Sequence, residues 1–72
     1  MSIKFVVERH TNGYIAYPLG IQGIVAGQGK THQAALQDAK SALKFHIETF
    51  GKEVLDNESA IIEAFIEEEA IA

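Results

Sequence analysis

The spacing of apolar positions changes along the chain, and that change divides it into elements. Residues 3–9 (Ile-Lys-Phe-Val-Val-Glu-Arg) are rich in β-branched and aromatic side chains with partial alternation, the pattern of a strand. His10-Thr11-Asn12-Gly13 follows, and Asn-Gly is a strong short hairpin signal because both residues accept positive φ at low cost. Residues 14–19 (Tyr-Ile-Ala-Tyr-Pro-Leu) then form the returning strand. Pro18, which has no N–H, belongs at a strand end or an unbonded edge position. Gly20-Ile21-Gln22-Gly23 is a loop, and residues 24–28 are a short third strand.

From residue 32 the period shifts to that of a helix. Leu36, Ala39, Leu43, Ile47 and Phe50 recur three and four apart, flanked by Ala35 and Ala42, and predict a helix over 32–50 with that stripe facing the core. Thr31 is the expected N-cap, without a capping box because Ala34 stands three residues on. Gly51 sits where a glycine would end the helix. The remainder is less regular. Val54-Leu55-Asp56 is an apolar touch-down, a short helix is expected over 58–65, and a closing edge strand over 66–72. The whole of 1–72 is thus one α+β domain: a three-stranded antiparallel sheet covered by one helix, in the order β-β-β-α-(short α)-β.

The hairpin fixes which side chains share a face, because successive strand residues point to opposite sides. Ile3, Phe5, Val7, Tyr14, Ala16 and Pro18 fall together, and this mostly apolar set is the face for the helix to cover. The opposite face carries Lys4, Val6, Glu8, Ile15, Tyr17 and Leu19. One helix covers one face, so Val6, Ile15, Tyr17 and Leu19 form an apolar patch rimmed by charge, the usual mark of an interaction surface. The alternative is that the tail folds over the patch and makes it ordinary core.

Composition sharpens this picture. A chain of 72 residues buries only ~60% of the surface it would expose unfolded. With no cysteine it lacks disulfides and cysteine-bound metal as staples, which favours homo-oligomerisation. Ten acidic residues oppose six basic ones, for a net charge of −4, and no basic cluster is present. Direct nucleic-acid binding, which draws on phosphate neutralisation, is disfavoured; a basic protein partner is easier to accommodate. The densest charge is Glu67-Glu68-Glu69, read either as a solvated edge that discourages strand addition or as an acidic patch for a basic partner. No apolar run approaches the ~18 residues of a membrane span. The N-terminus lacks the regions of a signal peptide, so a cytoplasmic location is expected.

Candidate chemistry is sparse. His10, His32 and His46 form no His-x-x-x-His pair, and no metal site is expected. Ser41 and Ser59 have no nearby histidine in sequence and no nucleophile elbow, so no catalytic residue and no cofactor is expected. Gly27-Gln28-Gly29-Lys30-Thr31 has one residue where a Walker A loop needs four, which leaves a strand-to-helix turn. The helix start beside Lys30 and Thr31 remains a possible anion site.

Four segments in order carry a family resemblance: Asn12-Gly13-Tyr14; Pro18-Leu19-Gly20-Ile21-Gln22-Gly23; Gly27-Gln28-Gly29-Lys30-Thr31; and Ala35-Leu36 through Ala42-Leu43. Together over residues 3–50 they resemble the HicB family of antitoxin-like proteins. Gln22 stands where that family often has Pro, and Ala34 or Ala35 where it often has Glu. The resemblance implies a β-β-β-α-β unit similar to half of ribonuclease H, packed as a dimer or larger oligomer. It implies a role in masking a small basic ribonuclease toxin. Family members commonly add a C-terminal DNA-binding segment, for which residues up to 72 leave no room. The expected function is therefore a non-enzymatic, HicB-like antitoxin-type protein. The alternative is a stand-alone structural or ligand-binding module of the same fold.

Overall fold

The computed structural model describes residues 2–55 and 60–71. Strands β1 (Phe5–His10), β2 (Gly13–Pro18) and β3 (Gly27–Gly29) form an antiparallel sheet in the order β1-β2-β3. Helix α1 (His32–Phe50) packs on one face, and a 3-10 turn (Lys52–Val54) follows it. This is the α+β arrangement expected from the sequence, with the helix at its expected bounds.

The hairpin is tighter than the Asn-Gly signal suggests. His10 pairs with Gly13, so the loop is Thr11-Asn12 and Gly13 already belongs to β2. Gly13 has φ +147°, and a Cβ there would stand 2.8 Å from the carbonyl oxygen of Gly29. Its glycine character is therefore set as much by the close approach of β3 as by the turn.

The third strand also differs from expectation: it is Gly27–Gly29 rather than 24–28, and Ile24 is 97% exposed. The reason lies in the helix contact. A Cβ on Gly27 would lie 2.1 Å from the Ala39 nitrogen, and one on Gly29 would lie 2.7 Å from Ala34 Cβ. The helix rests directly on the strand backbone, which only glycines two apart on one face allow. That approach selects the helical residues beneath it. Ala35, Ala39 and Leu43 are buried at i, i+4 and i+8, whereas Phe50, expected in the core stripe, is 63% exposed. The fully buried cluster is Ala16, Ala35 and Ala39, with Phe5, Val7 and Tyr14 packed around it only partly buried.

Both helix ends follow the sequence. The Ala34 N–H donates to Thr31 Oγ1 at 3.0 Å, and the Gly51 N–H donates to the Ile47 carbonyl at 2.7 Å. His46, without an assigned role in the sequence reading, ties α1 to the Gly20–Gly23 loop by donating from Nε2 to the Gln22 carbonyl at 2.8 Å. The loop is fastened a second time by Gln22 N–H to the Val54 carbonyl at 3.0 Å and by the Ile21–Leu55 bridge. Val54 is buried, so the expected touch-down takes place there, with Asp56 outside the described residues.

The tail corrects two expectations. Residues 60–71 form neither the short helix nor the closing strand and are exposed throughout; the remainder of those two segments, 58–59 and 72, lies outside the described residues. Three consecutive glutamates place charge on both sides of any strand through 67–69, which removes the apolar alternation that a sheet face would reward. No helix among the described residues is long and apolar enough to cross a membrane.

Two substitutions test this packing. Gly27→Ala drives a methyl into helix backbone that cannot rotate away. We expect a loss of about 3 kcal/mol or more, seen as a fall in Tm of more than about 10 °C by circular dichroism. Thr31→Ala removes the cap and should cost about 1 kcal/mol by the same measurement.

Candidate interaction surface

The register places the sequence-derived patch as parity requires. Val6 pairs with Tyr17 and Glu8 with Ile15, so these four share the face turned away from α1. Leu19 joins them opposite Lys4, its N–H donating to the Lys4 carbonyl at 2.8 Å. All of Val6, Tyr17 and Leu19 are half-buried, and Ile15 is 36% exposed. Val6, Tyr17 and Leu19 line a groove of about 880 Å³ whose far wall is Glu63, Phe65 and Ile66 of the tail. The tail thus borders the patch without closing over it.

A hydrogen-bonded group sits within this face. Glu8 accepts from His10 Nε2 through Oε1 at 2.7 Å and from the Tyr17 hydroxyl through Oε2 at 2.9 Å. The His10 bond, then the Tyr17 bond, hold the Glu8 carboxyl below its ordinary pKa, against an opposing contribution from partial desolvation. Donation to Glu8 in turn holds the Tyr17 phenol above its ordinary value. Glu8 and His10 are two apart on one strand and so share a face, a relation open to reading from the sequence. Their pairing to Tyr17 additionally needs the hairpin register. The trio fixes the Tyr17 ring at the centre of the patch and keeps Glu8 ionised.

The other predicted positions are separate from this patch. Glu67, Glu68 and Glu69 are exposed and make no ion pair among the described residues. Thr31 is committed to capping through its hydroxyl. Lys30 lines an open cleft of about 360 Å³ with His10, Tyr14 and Gln28 at the hairpin end of the sheet. Among the described residues, no three His, Cys, Asp or Glu side chains stand close enough to hold a metal.

The two sheet edges differ, which the sequence reading missed. Leu19 bonding to Lys4 fixes the ladder phase, so Val6, Glu8 and His10 direct their backbone groups to β2. Phe5, Val7 and Arg9 direct theirs outward at the β1 edge, where no partner is found among the described residues. On β3 the outward N–H belongs to Gln28, and it donates to Asp38 Oδ2 of α1 at 3.0 Å. One edge is therefore blocked by a helix carboxylate and the other is open.

Tyr17→Phe keeps the ring and removes one donor to Glu8. Because the folded Glu8 pKa is lowered, its contribution to stability is present above the ordinary carboxylate pKa. It is lost as pH falls through the folded value. In the variant the Glu8 carboxyl should titrate at higher pH by carbon NMR, with a smaller acid-side loss of stability.

Comparison of the chain with protein-family models, with curated proteins and with solved structures finds no match.

Proposed function

We propose that this chain is a non-catalytic, HicB-like antitoxin-type protein that self-associates and masks a small basic ribonuclease toxin in the cytoplasm. The observation that carries this reading is the sheet face opposite α1. Val6, Tyr17 and Leu19 lie there beside an acidic tail, uncovered by the chain's own helix. Apolar area with aromatic residues supplies an interface centre, and a surrounding acidic rim steers and selects a basic partner. The net charge of −4 and the exposed Glu67, Glu68 and Glu69 suit such a rim. Masking then works by occupation: a ribonuclease whose RNA-binding face is covered by carboxylates loses its substrate to competition.

Co-expression with any small basic protein encoded beside this chain tests the proposal, and the absence of such a neighbour counts against it. A stable complex in which ribonuclease activity is suppressed is the expected result. In that complex Tyr17→Glu, which places a charge in the patch, should weaken binding at least tenfold by calorimetry. No complex, or a complex that leaves RNA cleavage intact, contradicts the reading and favours a stand-alone module of the same fold.

A further inference from the structure

We infer that two copies of this chain associate through their β1 edges, antiparallel, into one continuous six-stranded sheet in which Val6 meets Val6 at the two-fold axis. The inference rests on the self-association part of the proposed function and is independent of the toxin.

The open edge limits the possible pairings. Phe5, Val7 and Arg9 carry the outward backbone groups, so ladder bonds across a two-fold axis must join members of that set, or their continuation in the strand. Pairing Phe5 with Arg9 of the second copy sets Val6 opposite Glu8, an apolar side chain against a carboxylate. Pairing Val7 with Arg9 sets Glu8 opposite Glu8. Pairing Arg9 with Arg9 sets two guanidinium groups opposite one another. Pairing Phe5 with Phe5 sets Lys4 opposite Val6. Pairing Phe5 with Val7 differs from all four. It sets Val6 opposite Val6 and Lys4 opposite Glu8 on both sides of the axis, with every one of these side chains on the face away from α1. Directly opposed residues of opposite charge stabilise an antiparallel pair, and like charges destabilise it. The strand Lys4-Phe5-Val6-Val7-Glu8 is therefore self-complementary in one register.

The surroundings fit a second copy as the occupant. The β3 edge is closed by Asp38, so the association ends at two copies instead of growing into a filament. The groove beside β1 leaves room for an incoming strand, and the tail wall over it exposes Phe65 (77%) and Ile66 (94%) to be covered. A core whose fully buried members are three alanines gives a small domain reason to gain apolar contact this way.

Charge reversal separates this interface from any other. Sedimentation of the full chain should give a dimer. Lys4→Glu and Glu8→Lys each place like charges opposite one another twice and should each weaken the dimer roughly tenfold or more. An equimolar mixture of the two should restore it as a heterodimer, because Glu at 4 then faces Lys at 8 and Lys at 4 faces Glu at 8. A monomeric wild type overturns both this inference and the self-association it rests on. A wild-type dimer whose affinity neither variant changes, or folded variants that fail to pair on mixing, overturns the β1 interface alone. Should a variant fail to fold, amide exchange of the wild type decides. Protection of the Phe5, Val7 and Arg9 amides that rises with protein concentration supports the edge pairing. Protection independent of concentration, or none, overturns it.

Discussion

The contact on which the rest of the structure depends is the seating of α1 against the bare backbone of β3. Gly27 and Gly29 present no side chain toward the helix, and Ala35 and Ala39 answer with the smallest ones available. Close approach replaces bulk: dispersion between well-fitted backbone surfaces takes the place of large interdigitating side chains. The arrangement also explains why the helix lies over β2 and β3 more than over β1, whose Phe5 and Val7 remain only partly covered. A methyl group at Gly27 has no direction in which to yield, so the contact is intolerant in a way that a leucine-lined interface is not.

From that seating follow the features that matter for binding. A helix pressed onto β3 brings Asp38 within reach of the outward Gln28 N–H, which seals that edge. The same placement leaves β1 as the exposed margin of the sheet and leaves the opposite face uncovered by the helix, with the tail along one side of it. On that face the Glu8–His10–Tyr17 bonds hold an aromatic ring in place between Val6 and Leu19, and keep a negative charge next to it. An ordered aromatic side chain loses less entropy on association than a free one. The surface is thus pre-arranged for contact.

Much of this was legible in the chain because it depends on local rules. Strand alternation, the position of Thr31 and Gly51, and the parity of the hairpin are set by neighbours in sequence, and the face containing Val6, Ile15, Tyr17 and Leu19 follows from them. What could not be read depends on contacts between distant segments. Of the predicted stripe, Ala39 and Leu43 are buried and Leu36 and Ile47 half-buried, but the glycines of β3 turn the helix so that Ala35, expected only to flank the stripe, is fully buried and Phe50 is left exposed. Ile24 looked like a strand residue but lies outside the ladder, which needs Gly27 to Gly29 against α1. His46 and Asp38 act on the backbone of Gln22 and Gln28, and neither bond has a signature in the sequence. The tail expectation failed where Glu67, Glu68 and Glu69 interrupt the alternation that a strand requires.

The most direct measurement of the central contact is proton NMR of the folded chain. Seating of α1 on β3 should give a strong cross-relaxation peak between one Gly27 α-proton and the Ala39 amide proton, with a second between Gly29 and Ala35. Their absence, with Gly27 α-protons facing bulky side chains or solvent instead, would contradict the backbone-on-backbone packing from which the open face and open edge follow.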